Sequence, residues 1–233
     1  MNPLRSAALR FSANARGRRI EIFRSHFHID RQTKLLDYGS EHGANIANYL
    51  DGLDFDPKNI FIADIDREAV EAGGRTYGFN PVPIEEAGTL PFDDSFFDIV
   101  FCSSVIEHTT VDKSAVWKVK KSSEFKERSW QRQREVAAEI SRLGRQYFVQ
   151  TPSRSFPIES HTWLPLVAYL PREQFVPLLR LSNRFWIKKS TPDFNLLDGG
   201  QMKDLFPDAD ILTERTFGLE KSIMAIKADS TAL

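Results

Sequence analysis

The sequence predicts an α/β fold whose mostly parallel sheet is covered by helices on both faces and ends in an antiparallel strand pair. Three observations carry this. From residue 34 to about residue 151, short apolar runs alternate with stretches of helical periodicity, the pattern of strand–helix–strand crossovers. Near the C-terminus, residues 211–216 and 222–228 read as two strands with Phe217-Gly218-Leu219 between them, close enough to pair antiparallel at a sheet edge. The chain has 233 residues, enough for one domain with a full core and a modest appendage.

The elements follow in order. Residues 34–37 form a short apolar run and residues 44–50 a helix. Residues 60–63 form a second run and residues 67–72 a second helix. Phe97-Asp98-Ile99-Val100-Phe101-Cys102 is β-branched and aromatic, the composition of a buried strand. Trp130, Ala137, Ile140 and Leu143 recur at helical spacing, and Gly144 reads as the cap. Gln146-Tyr147-Phe148-Val149-Gln150 is the next strand, stopped by Thr151-Pro152. Residues 152–195 hold six of the twelve prolines and seven aromatics. That composition reads as short helices and turns that pack or line a pocket, not as a linker.

Charge narrows the function classes. Lys+Arg is 31 and Asp+Glu is 32, a balance that disfavours a wholly basic nucleic-acid binder and an acidic tail protein. The balance is local, however. Residues 1–24 carry six Arg against one Glu, residues 36–112 sixteen acids against three bases, and residues 111–145 ten bases against five acids. The basic stretches read as solvated helix faces or as a basic rim for an anionic acceptor, and residues 111–130 as a basic helical excursion. The single cysteine, Cys102, cannot form an internal disulfide and reads as a buried strand residue, which fits a reducing compartment. Residues 1–10 lack the apolar core of a signal peptide, and no apolar run approaches the ~20 residues of a spanning helix. A soluble cytoplasmic protein with no membrane partner is expected.

In an open parallel sheet, ligands bind beyond the carboxyl ends of the strands, so the loops after the strands come first. Asp37-Tyr38-Gly39-Ser40-Glu41-His42-Gly43 follows the first strand, with glycines for a tight turn and for a close helix–strand approach. The second strand ends at Asp64, 21 residues after Gly43, where a carboxylate can accept both hydroxyls of a ribose. Glu86 lies 22 residues further and Glu107 another 21, each near a strand end. A dinucleotide fingerprint needs a glycine under the pyrophosphate, and Glu41 holds that position, so a cofactor without phosphate suits this loop better.

Several segments together resemble one family. Residues 35–43 are similar to the first motif of class I S-adenosylmethionine-dependent methyltransferases, and Ile62-Ala63-Asp64-Ile65-Asp66 to the second. Residues 86–100 are similar to the third and fourth motifs. Ser103-Ser104-Val105-Ile106-Glu107-His108 continues the match, nearest to the type 11 branch. The resemblance covers about residues 34–151 and implies a Rossmann-like, doubly wound, seven-stranded sheet with a helical lid. Residues 1–33 would be an N-terminal basic helical arm, and residues 34–233 the methyltransferase domain with an acceptor-side insertion at 152–195.

The resemblance also implies roles. Asp37, Tyr38, Gly39 and Ser40 would shape the methionine end of the S-adenosylmethionine pocket. Asp64 would bind the ribose and Ile65 pack on the adenine. Glu86 would accept from the adenine amino group, with the Ala87 amide on a ring nitrogen. Ser103 would place its backbone near the methionyl group. Glu41 departs from the small residue common in the family. It would bridge the methionyl ammonium or point to solvent, and facing the methionyl carboxylate would weaken binding.

A sulfonium methyl is already activated, so the protein must align an acceptor with it for in-line displacement and exclude water. His161 and Glu159, in the segment after the fifth strand, are the expected acid–base or acceptor-contacting residues, with His161 alternatively capping a helix from Thr162. Glu107 and His108 are further candidate bases that read first as pocket support. His26-Phe27-His28 lacks the further ligands of a zinc site, so no metal is expected. A small-molecule acceptor is the leading reading. A nucleic-acid methyltransferase is opposed by overall charge and by Ser103-Ser104-Val105-Ile106 in place of the Asn/Asp-Pro-Pro-aromatic run tied to base amino groups. A non-catalytic protein that keeps the fold is the third.

Overall fold

The computed structural model describes residues 3–85 and 89–229. Seven strands form one sheet of order β3-β2-β1-β4-β5-β7-β6. These are β1 Leu35–Tyr38, β2 Ile60–Asp64, β3 Asn80–Pro83, β4 Phe97–Ser103, β5 Gly144–Pro152, β6 Asp210–Thr216 and β7 Leu219–Lys227. The β1–β2, β2–β3 and β4–β5 pairs are parallel; β5–β7 and β6–β7 are antiparallel. The expected mixed sheet with an antiparallel edge pair is therefore observed. The chain divides into two compact units, one over Met1–Pro83 and Ala228–Leu233, the other over Ile84–Lys227.

The first unit holds β1 to β3 and the helices α1 Pro3–His26, α2 Ala44–Leu50 and α3 Arg67–Tyr77. All four residues of β1 are buried, as in a strand covered on both faces. Phe23 of α1 is fully buried and meets Phe27 at 5.0 Å and Tyr49 at 5.4 Å. Arg24 donates to the carbonyls of Tyr49 and Asp51, so its charge closes the end of α2. Asp66 caps α3 by accepting from the Ala69 amide, and Gly78 ends it at a φ of 74°. The strand that periodicity does not reveal is β3, which contains Pro81 and Pro83. Proline cannot donate to a ladder, and β3 is tolerated because it lies at the sheet edge.

The second unit holds β4 to β7 and the helices α4 Ser122–Leu143, α5 Arg172–Ser182 and α6 Gly199–Leu205. Helix α4 begins eight residues before Trp130, so residues 122–130 of the expected basic excursion supply its first turns, while residues 111–121 form bends and turns before it. Its start is closed by Glu173 of α5, whose carboxylate accepts from the Ser122 amide at 2.9 Å and the Ser122 hydroxyl at 2.6 Å. Gly144 is extended, not a left-handed cap, and α4 passes directly into β5. Glycine is needed there for space: a Cβ would lie 2.8 Å from Val100 Cγ2 and 2.7 Å from the Gln146 carbonyl oxygen. Cys102 is buried in β4, as its strand context predicts. The hairpin from β6 to β7 turns at Phe217 and Gly218, both at positive φ, the pairing that a tight two-residue hairpin requires.

Residues 153–197 leave β5 and return beside it: Ser153 bridges Leu197, and the Arg154 amide donates to the Leu197 carbonyl at 3.0 Å. Val167, Phe175, Leu179, Phe194 and Leu196 make a core within this excursion, so two of its seven aromatics are core packing. Among the described residues, no helix is long and apolar enough to cross a membrane.

Candidate functional site

The glycine loop of the first unit is built by backbone hydrogen bonds. The amides of Gly39 and Ser40 both donate to the Ala63 carbonyl, at 2.7 and 3.0 Å, bending the chain off β1. Gly43, at φ 76°, brings α2 close: a Cβ there would lie 3.2 Å from Ile62 Cγ2. Gly73 of α3, which sequence reading passed over, allows the tightest approach, since a Cβ would stand 2.4 Å from the His42 carbonyl oxygen.

Asp64 ends β2 and its carboxylate is pinned by two amides, Glu41 N to Oδ2 at 2.8 Å and Asp66 N to Oδ1 at 3.0 Å. Each oxygen keeps a further lone pair. Ile65 beside it is 63% exposed, unusual for isoleucine. Asp37 is buried, and its Oδ2 has no hydrogen-bond partner among the described residues. Burial, then the nearby Asp64 charge, pushes its carboxyl well above the ordinary aspartate range. Tyr38 and Ser40 are also buried, with Ser40 Oγ 3.5 Å from the Ala63 carbonyl. Glu41 adopts a left-handed φ of 50°, and its side chain is 79% exposed beside His42. The departure from the family pattern is thus accommodated by a carboxylate in solvent and a backbone amide that holds Asp64. Glu86 and Ala87 lie outside the described residues.

The second unit assembles a different kind of site. Ser103 ends β4, and its hydroxyl donates to Gln150 Oε1 at 2.8 Å; Ser104, at φ 60°, reaches the same oxygen at 3.3 Å. A short helical turn, Ile106–His108, then presents Glu107 and His108. Gln133 of α4 is fully buried and ties this turn to a distant stretch: its amide nitrogen donates to the carbonyls of Ile106 at 3.1 Å and Asn195 at 2.9 Å. The Asn195 amide donates to the Glu107 carbonyl at 2.8 Å. Asp193 and Phe194 are thereby held beside residues 107 and 108.

His161 lies at the centre of this group. Its Nδ1 is 2.6 Å from Glu159 Oε1, and its Nε2 is 3.7 Å from Glu107 Oε1. Its ring stacks on Phe194 at 4.5 Å and meets the His108 ring edge-on at 4.6 Å. Burial alone would lower the His161 pKa, but Glu107 and Glu159 outweigh it and push it up to about 9. The same contacts, with the amides of His161 and Thr162, hold the Glu159 carboxyl below its ordinary range despite its burial. No helix starts at Thr162; Glu159, not His161, caps the turn there.

Glu107 is fully buried, with Oε2 accepting from Thr151 at 3.0 Å and Oε1 without a hydrogen bond. His108 Nδ1 is 3.6 Å from Asp193 Oδ2. The sequence brought Glu159 and His161 forward as a pair. The structure adds Glu107 and His108 to them and supplies Asp193, Thr151 and Phe194, which no local pattern signals. By contrast, His26 turns Nδ1 onto the Ile22 carbonyl at 2.8 Å, inside its own helix.

Phe194 also lines a cleft of about 530 Å³ in this unit, walled by Phe125, Trp130, Tyr169 and Phe175 and edged by Arg154. That volume lies within the roughly 300–1,000 Å³ of small-molecule sites. Arg128, Arg132, Arg142 and Arg145, on or just after α4, each pair with an acid at 3.0–3.7 Å.

Residues 36–124 match the family described as "Methyltransferase domain". The match spans less than half of the chain, so it is these residues that are similar to methyltransferase domains. No curated protein matches this chain. Among solved structures it shares its fold with a possible exported protein from Bordetella parapertussis, at 12% identity and a TM-score of 0.53 over 93% of this chain and 68% of that one. A SAM-dependent methyltransferase from Aquifex aeolicus aligns at 12% identity and TM-score 0.47 over 89% and 88%. The magnesium protoporphyrin IX methyltransferase of Synechocystis PCC 6803, solved with bound SAH, aligns at 10% identity and TM-score 0.48 over 98% and 89%.

Proposed function

We propose that this protein is a methyltransferase that transfers the methyl group of S-adenosylmethionine to an oxygen or nitrogen of a small, largely apolar acceptor in the cytoplasm. The observation that carries the reading is the aromatic cleft of the second unit, whose wall residue Phe194 stacks directly on His161. The paired arginines of and after α4 support it further, because their charge is neutralised within the protein and does not form a stripe for a phosphate backbone.

The residues of the first unit suit the cofactor. The orphaned, buried Oδ2 of Asp37 is an acceptor without a donor, and the methionyl ammonium supplies donors. Asp64 presents two oxygens with one free lone pair each to the ribose hydroxyls, and exposed Ile65 offers an apolar face to the adenine. Gly39, Tyr38 and Ser40 contribute backbone, since both of those side chains are buried. Glu86, Ala87 and Ser103, which belong to the second unit, carry cofactor roles on the sequence resemblance alone. When bound, the cofactor supplies a methyl group on a sulfonium, already activated for transfer.

In the second unit, Glu159 fixes the His161 ring and Phe194 covers one face of it. His161 then orients the acceptor atom through Nε2, and the apolar walls exclude water from the displacement. Arg154 at the edge favours an acceptor that carries an anionic group.

Radiolabelled S-adenosylmethionine, incubated with the protein and a cell extract, tests the reading. Label should enter the small-molecule fraction, and His161→Asn should cut turnover at least tenfold with cofactor binding retained. Label confined to RNA, or none in any fraction, overturns it. Arg154→Ala should raise KM for the acceptor and leave kcat close to unchanged.

A further inference from the structure

We propose that Glu107, His108 and His161 form a binding site for one first-row divalent metal ion of the Zn²⁺ or Co²⁺ type. One ligand atom from each of the three lies within 4.8 Å of the others. Three ligands around one ion at about 2.0–2.2 Å are separated by roughly 3–3.5 Å, so the observed spacing needs only a small side-chain contraction. His108 has a side chain 35% exposed and is free to supply most of it.

Two independent features point to an ion. The first is Glu107 Oε1: fully buried, without a hydrogen bond, and aimed at His161 Nε2. Its partner is the His161 ring nitrogen at 3.7 Å, beyond hydrogen-bond reach, so the oxygen keeps its lone pairs for a closer ligand. The second is the arrangement behind the imidazoles. His161 turns Nδ1 to Glu159 at 2.6 Å, and His108 turns Nδ1 to Asp193 at 3.6 Å. Each ring therefore has a carboxylate behind Nδ1, and His161 Nε2 faces Glu107 Oε1 at 3.7 Å, the arrangement in which outer carboxylates orient metal-bound histidines and raise their basicity. Thr151 does the same for Glu107 by holding Oε2 at 3.0 Å.

The ligand set selects the metal. Two imidazole nitrogens and one carboxylate oxygen suit zinc, cobalt or iron(II), whereas magnesium prefers an all-oxygen shell. Three protein ligands leave coordination positions for water or for an oxygen of a bound molecule. Charge agrees: Glu107, Glu159 and Asp193 gather three carboxylates here, with Lys188 as a further cation acting on Glu159.

Isothermal titration of the full-length, tag-free chain with Zn²⁺, Co²⁺ and Mg²⁺, without cofactor or acceptor, tests the site independently of methyl transfer. One equivalent of Zn²⁺ or Co²⁺ should bind, with visible Co²⁺ absorption bands. Glu107→Gln and His108→Ala should each weaken binding at least tenfold. His108 is partly exposed, so its variant guards against a fold lost through buried Glu107, and thermal unfolding of both checks that. No stoichiometric binding of Zn²⁺ or Co²⁺, binding of Mg²⁺ alone, or affinity unchanged in the folded variants overturns the proposal. Loss of binding in a His26→Ala/His28→Ala double variant instead also overturns it.

Discussion

The loop around Asp64 and the cluster around His161 are both built on carboxylates, but they are held in opposite ways. Around Asp64 the partners are backbone amides: Glu41 N and Asp66 N on Asp64, Gly39 N and Ser40 N on the Ala63 carbonyl. Around His161 the central contacts run side chain to side chain, from Glu159, Glu107 and Phe194. A site made of amides tolerates a changed side chain provided the backbone can follow, and Glu41 is such a change. A site made of side chains depends on each member, because removing one leaves a buried charge without its partner.

Substitutions can break or sharpen that contrast. Glu159→Ala should have the largest effect, since it strips the buried His161 of its closest carboxylate and removes the acceptor for two amides. A loss of about 3–5 kcal/mol in chemical denaturation is expected. Gly73→Ala should come next and act on the other region through the backbone alone. Its Cβ would meet the His42 carbonyl at 2.4 Å, and a loss of about 1–3 kcal/mol is expected with weaker cofactor binding. Asp64→Ala should weaken cofactor binding at least tenfold, about 1.4 kcal/mol, by equilibrium dialysis. Unchanged affinity would remove the ribose assignment.

The smallest effect concerns Asp37, whose folded-state pKa is raised by burial and by Asp64. A carboxyl raised on folding favours the folded state below its unfolded pKa, and this contribution is lost as pH climbs through the raised value. Stability should therefore fall from acid toward neutral pH on account of this group. Asp37→Asn should flatten that slope and stabilise the protein at pH 8, read from urea midpoints across pH. A slope that survives the substitution would place the effect elsewhere.

How much could be read in advance follows from the same contrast. The glycine loop and Asp64 are local in sequence, and their spacing follows strand and helix lengths, so the order of residues carried them. The parallel strands were legible as continuous apolar runs, whereas β3 was hidden by Pro81 and Pro83. The His161 cluster joins residues 107, 108, 159, 161 and 193–194, which meet because Gln133, buried on α4, bridges two remote backbones. No periodicity records such a bridge. Gly73 escaped for a related reason: a glycine in a helix reads as a weak helix former until the carbonyl facing it is known. His161 itself was legible, but its charge was not, because that depends on two carboxylates brought in from separate turns.

The excursion between β5 and α6 is closed at its own neck by Ser153 and Leu197. Loop-closure entropy grows slowly, about 0.6 kcal/mol for each doubling of length. Chain can therefore be added or removed between those two residues at little cost to the sheet that anchors them. The fold thus carries an exchangeable cassette: the excursion can be rewritten while the strands that anchor it are left as they stand.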